Sequence, residues 1–191
     1  FLPMLFLAVT CIILGMGVPT APAYVIVATL GAPALMKAGV PMISAHLFVF
    51  YFAILSVITP PVCVTAFAGA AIAESNPMRT GFVSCKLGLV AFIIPFMFVY
   101  QPALLLIGST SEVVMACVSS IIGVVGLAAG LQGYLVTVAK IWERPLLFVG
   151  GLMMIYPGTY SDMLGFAMII VVLLLQLIRR RSSGTSAPKV A

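Results

Sequence analysis

Two stretches carry residue types that can do chemistry: Gly15-Met16-Gly17-Val18-Pro19-Thr20 and Ser56-Val57-Ile58-Thr59-Pro60-Pro61-Val62. Each interrupts a long apolar run. Proline removes a backbone donor and clashes with the turn before it, and glycine admits non-helical dihedrals, so no helix passes smoothly through either stretch. Unwinding frees carbonyl oxygens, and Thr20, Ser56 and Thr59 place hydroxyls beside them. Hard oxygens without excess negative charge are what a sodium ion requires, and broken helices facing one another are how such sites are built within a bilayer. Gly15, Gly17, Thr20, Ser56, Thr59 and Pro60 are therefore the candidate ion ligands, chiefly through their carbonyls. A plainer reading stays open, in which both stretches are proline kinks whose freed backbone groups are satisfied by neighbouring Ser and Thr.

Val18, Pro19, Pro61 and Val62 flank these oxygens and are the candidates to face a substrate. Val62 is expected to begin a second half-helix whose positive amino-terminal end suits a carboxylate. Neither stretch contains an arginine, so recognition of an anion here rests on helix ends, hydroxyls and backbone N–H groups. Pro60-Pro61 is expected to hold the helix open.

Other chemistries lack their parts. No carboxylate pair, no His and Cys cluster and no serine with a base falls at embedded depth, which argues against an enzyme. Cys11, Cys63, Cys85 and Cys117 lie far apart and read as small buried hydrophobes, with no metal beyond sodium and no cofactor expected. His46, the single histidine, reads as an interfacial hydrogen-bonding residue. Glu112, Glu143 and Asp162 sit at expected helix ends and read as solvated.

The elements that must position these residues are membrane helices. Hydrophobic residues make up 63% of the chain, charged residues 7%, and the mean hydropathy is +1.30. The fold class expected is all-α, a polytopic helix bundle, with room for about seven or eight embedded segments at roughly 20 residues per span. Segment 1–39 reads as two short helices around the first break, either one broken span or a re-entrant hairpin. Segment 44–73 would run about 45 Å if continuous, too long for a core of about 30 Å. Split at Thr59-Pro60-Pro61, it becomes two half-helices of about 22 Å with an unwound middle. A span follows over 81–107, bent at Pro95 and Pro102. Further transmembrane helices occupy 108–181, with Ser111 and Glu112 suited to cap the helix Val113–Val138, and 182–191 is expected to be a disordered tail. The opening residues, Phe1-Leu2-Pro3-Met4, show neither an initiator methionine nor a signal peptide, so the chain reads as the C-terminal part of a longer polypeptide.

Placing Arg179-Arg180-Arg181 in the cytoplasm puts Arg79, Lys86, Lys140, Arg144 and Lys189 on the same side. Only Lys37 among the nine basic residues falls outside, as the positive-inside rule expects. That assignment makes 1–39 a hairpin entered from the outer face and the C-terminus cytoplasmic. The net charge of +5 is spread over segment ends, which suits membrane lipid and not nucleic acid.

Taken in order, Gly15 to Tyr24, His46-Leu47-Phe48-Val49-Phe50-Tyr51-Phe52, Ile58-Thr59-Pro60-Pro61-Val62 and Asn76-Pro77-Met78-Arg79-Thr80-Gly81-Phe82 resemble the large permease subunit of tripartite ATP-independent periplasmic (TRAP) transporters, DctM-like and nearest to fused TAXI-type permeases. The resemblance covers about 1–107. It implies a sodium-coupled, elevator-type importer in the inner membrane of a bacterium or archaeon, served by a periplasmic solute-binding protein and taking a small organic acid. It also implies two inverted repeats, of which this chain holds the second, so the upstream half of the same permease is an expected partner. The alternative is a non-transporting membrane anchor or interaction subunit.

Overall fold

A computed structural model describes residues 1–155 and 158–182. Tyr156, Pro157 and the expected tail from 183 onward thus lie outside the described residues. Every extended element among them is helical, and the chain divides into two compact units, Phe1–Gly108 and Ser109–Ala191.

The first unit opens with α1 (Leu2–Gly15) and α2 (Thr20–Lys37), joined by four residues. Leu7 of α1 meets Gly31 of α2, where an added Cβ would fall 2.9 Å from Leu7 Cδ1. Two residues at comparable distances from the turn can touch only if the chain doubles back, so 1–39 is a hairpin and not one broken span. Gly39 at φ +88 lets the chain leave α2 and enter α3 (Met42–Leu55) behind Pro41. A 3₁₀ turn, Ser56–Ile58, ends α3, and after the unwound Thr59–Cys63 comes α4 (Val64–Ile72). The two parts are unequal, unlike the equal halves expected from length. α4 spans only about 14 Å because Glu74, at φ 49, turns the chain immediately after it.

The span expected over 81–107 begins earlier, is interrupted directly before Pro95 and again at Gln101 before Pro102, and the first interruption reaches back to Gly88. Asn76 caps α5 (Pro77–Leu87) by accepting from Arg79 N at 3.0 Å, and Pro77 fits the first turn. A 3₁₀ stretch, Gly88–Phe92, then precedes α6 (Ile94–Tyr100) and the 3₁₀ turn Pro102–Leu105. Pro95 occupies the first turn of α6, directly after the interruption, where its missing N–H costs nothing and its ring keeps the turn ahead of it from continuing as α-helix. The core of this unit gathers Phe48 and Phe52 of α3 with Phe92 and Phe96, the Phe48 and Phe96 rings meeting edge to face at 5.2 Å.

The second unit stacks α7 (Thr110–Gln132), α8 (Glu143–Ile155) and α9 (Thr159–Ser182). Ser109, not Ser111, is the cap of α7: its Oγ accepts from Glu112 N while Glu112 Oε2 accepts from Ser109 N at 2.9 Å. α7 stops at Gln132, short of the expected Val138, because Gly133 at φ +74 closes it in the left-handed region. Glycines then let the helices approach backbone to backbone. A Cβ on Gly151 of α8 would lie 2.6 Å from Gly123 O and 2.7 Å from Leu127 N of α7, and one on Gly165 of α9 would lie 2.5 Å from Gly150 O. Gly151→Ala is accordingly expected to destabilise the protein by about 1–3 kcal/mol, read as a lowered unfolding temperature in detergent. Gly69→Ala in α4, which meets nothing within 4 Å, leaves it unchanged or raised.

α7, α9 and the run Pro77–Tyr100 are long and apolar enough to cross a bilayer.

Candidate ion and substrate site

The two interruptions lie against each other. Gly15, the last residue of α1, is buried against the second break: a Cβ there would sit 2.6 Å from Ser56 Oγ and 3.5 Å from Ala53 O. Two residues on, Gly17 takes φ +74, and a Cβ there would sit 3.2 Å from Val62 Cγ1. Only residues without side chains allow this approach at Gly15, and only glycine takes the Gly17 dihedral readily. Hence the hairpin tip and the unwound middle of the broken helix form one locus.

Backbone oxygens are available at that locus on both sides. In the tip, Val18 N donates to Gly15 O at 3.3 Å and Ala23 N to Pro19 O at 3.0 Å. The carbonyls of Met16, Gly17 and Val18 between them accept no hydrogen bond among the described residues. Beyond the 3₁₀ turn, Thr59 N donates to Ser56 O at 3.2 Å, while the carbonyls of Thr59, Pro60 and Pro61 likewise accept none. The hydroxyl protons are already committed: Ser56 Oγ donates to Ala53 O at 2.6 Å and Thr59 Oγ1 to Leu55 O at 2.7 Å. A hydroxyl whose proton points at the backbone keeps its lone pairs for another partner, so these oxygens suit a cation and not an anion.

Thr20 opens α2, half-buried, with no side-chain hydrogen bond among the described residues. Val18 is half-buried and Pro19, exposed, precedes α2 as its N-cap residue. Pro60 is half-buried and Pro61 exposed. Val62 does not begin the second half-helix. α4 starts at Val64 behind Cys63, because Thr65 Oγ1 reaches back to Val57 O at 2.8 Å and keeps the intervening chain looped. Val62 instead faces Gly17 from within the loop.

Two features around the locus escaped the sequence reading. The 3₁₀ stretch at Gly88 packs on the second break, where a Cβ would fall 2.9 Å from Ile58 Cδ1. Its signal was Lys86-Leu87-Gly88, the same basic and glycine stop that closes α2 at Lys37-Ala38-Gly39. Gly81 of α5 gives Cys63 Sγ its place, a contact no spacing announces. His46 is the hydrogen-bonding residue expected, its Nδ1 2.9 Å from Tyr24 OH, which ties α3 to the hairpin.

Glu143, expected to be solvated, is buried, only 1% exposed. Its carboxylate pairs with Arg179 at 3.1 Å and accepts from Gln176 Nε2 at 2.9 Å and Lys140 N at 3.0 Å. No group of three or more His, Cys, Asp or Glu able to hold a metal occurs among the described residues.

The family model for the tripartite ATP-independent periplasmic transporter, DctM component, matches residues 1–113, which is most of the chain and the whole of the hairpin and broken-helix region. The chain belongs to the DctM family. It is thus an integral membrane protein of a transporter family, the large permease of TRAP systems, whose tripartite design implies a periplasmic binding protein as partner and lipid as surroundings. No curated protein and no solved structure matches it.

Proposed function

We propose that this permease couples the import of a small organic acid to sodium, with the ion held between the hairpin tip and the broken helix. The observation that carries the reading is the meeting of the two interruptions, Gly15 against Ser56 and Gly17 against Val62, with unpaired carbonyls on both. Kinks repaired for their own sake have no reason to face one another. Gly15, Gly17, Thr59 and Pro60 supply carbonyls, Ser56, Thr59 and Thr20 hydroxyls, and Val18, Pro19, Pro61 and Val62 line the face toward the solute. A periplasmic solute-binding protein delivers the substrate, and the transport unit carries it across by an elevator movement. In this reading the chain is of the fused TAXI type. It holds the second of two inverted repeats beside an upstream half, and it sits in the inner membrane with its C-terminus in the cytoplasm.

A ligand that binds only the folded state raises stability by RT ln(1 + [L]/Kd), about 2.7 kcal/mol at a hundred times Kd. Sodium is expected to raise the unfolding temperature of the full chain in detergent, where equal potassium does not. Thr59→Val is expected to weaken that response while leaving membrane insertion intact. Identical unfolding curves in the two salts would remove the ion site.

A further inference from the structure

We infer that α4 and α5 form an arm that swings as one body on two adjacent 3₁₀ joints, Ser56–Ile58 and Gly88–Phe92, moving Val62 toward and away from the hairpin tip. Its bearing on transport rests on the proposed ion site, but the hinge does not.

The apolar core of the first unit takes in Ile58 on one side and Ala91 and Phe92 on the other, and no residue between 58 and 91. The whole stretch from the second break to the Gly88 turn therefore stands outside the core. α4 packs on α5 and on the first 3₁₀ turn, and α5 packs on α4 and on both turns; neither lies along α1, α2, α3 or α6. Internally the pair is knit. Cys63 is fully buried with its Sγ on Gly81, Ala70 is fully buried, and at the far end Ser75 Oγ and Thr80 Oγ1 are 3.0 Å apart beside the Asn76 cap.

The joints are the weak places in the backbone. A 3₁₀ turn has poorer hydrogen-bond geometry than the α-helix, and a short run of it inside a longer helical segment is where bending concentrates. Here both runs lie side by side, Gly88 packed on Ile58, so together they define one axis. The joint residues Ile58, Ala91 and Phe92 are themselves held on the core, while the arm between them adds no residue to it, and segments with few buried apolar contacts to the rest of a fold move at low free-energy cost. Val62 sits between the first joint and α4 and meets Gly17 at its other side, so arm rotation directly sets the gap between the two loops.

The test uses the full chain in lipid bilayers, in potassium without sodium, with the four native cysteines replaced by alanine and paired spin labels introduced. One pair, at Ile72 and Phe82, lies within the arm; the other joins Ile72 to Ile13 of α1; all three positions are exposed. The within-arm distance is expected to be a single narrow population and the arm-to-hairpin distance broad or double. Gly88→Ala, which favours continuous helix through the joint and crowds Ile58, narrows the second distribution and leaves the first alone. Equal narrowness of both pairs, or a broad within-arm pair, overturns the hinge. Hydrogen exchange on the unlabelled chain with its native cysteines gives an independent reading: faster exchange at both joints than in α3 or in either arm helix supports the hinge, and uniform exchange overturns it. Sodium is added last. Narrowing toward one arm-to-hairpin distance ties the hinge to the ion site, whereas a broad distribution indifferent to sodium supports the hinge and counts against the ion reading.

Discussion

Arg179→Met is expected to lower the stability of the second unit by about 3–5 kcal/mol, the cost of leaving a buried charge without its partner. The guanidinium is the charged partner of a carboxylate whose side chain is 2% exposed, and it donates to both carboxylate oxygens, to Thr137 Oγ1 at 2.8 Å and to Val138 O at 3.0 Å. Removing it strands the Glu143 charge and takes away one of the two ties that hold the loop between α7 and α8 to α9. The loop has a second anchor in Gln176, whose Oε1 accepts from Val136 N and Thr137 N at 3.1 Å each. The damage is therefore local to the charge. Adding Glu143→Gln to Arg179→Met removes that charge while keeping an oxygen for Lys140 N and Gln176, and most of the lost stability is expected to return. Trp142, the single tryptophan, adjoins Glu143 and reports unfolding of this region by its fluorescence. An Arg179→Met protein as stable as the parent, or a double variant worse than the single, would contradict the account.

That network also shows where sequence reasoning reaches its limit. A charge at a helix end is ordinarily solvated, and nothing near Glu143 in the chain says otherwise. Its partners Gln176 and Arg179 stand 33 and 36 residues away, on α9. The interruptions at Gly15–Thr20 and Ser56–Val62 were legible because glycine and proline act on their own dihedrals and their own hydrogen bonds, a strictly local effect. A hairpin was the expectation from charge placement, through the side assigned to Lys37, and the doubling back itself is seen in Leu7 packing on Gly31. Contact between the breaks was not legible in the same way: that Gly15 packs on Ser56 depends on how α1 and α3 lie together, and the types of the two residues merely permit it. An interruption before Pro95 was legible for the same local reason, but its extension back to Gly88 was not, because it depends on Gly88 packing against Ile58. Equal half-helices were a length argument, and length does not see a turn such as Glu74 that ends α4 early.

Gly15→Ala is expected to reduce solute uptake by the complete permease, reconstituted with its upstream half and its solute-binding protein, at least about tenfold, the effect of losing some 1.4 kcal/mol of the productive arrangement, and to blunt sodium-dependent stabilisation with it. The added methyl would lie 2.6 Å from Ser56 Oγ and 3.0 Å from Ser56 Cβ. Ser56 cannot easily swing aside, being fully buried with its hydroxyl donated to Ala53 O at 2.6 Å. The end of α1 must retreat instead, carrying Gly17 from Val62 and parting the two sets of carbonyls. Ser56→Gly in the same chain removes both colliding atoms and separates the two things Ser56 does. If it is only a packing partner, Gly15→Ala with Ser56→Gly regains both thermal stability and the sodium response. If its oxygen is a ligand, the double variant regains stability in potassium but stays insensitive to sodium. Were Gly15→Ala to keep the parent's sodium titration and uptake, the close approach of the hairpin tip to the broken helix would have no part in ion binding, and the carbonyls would have to be unpaired for some other reason.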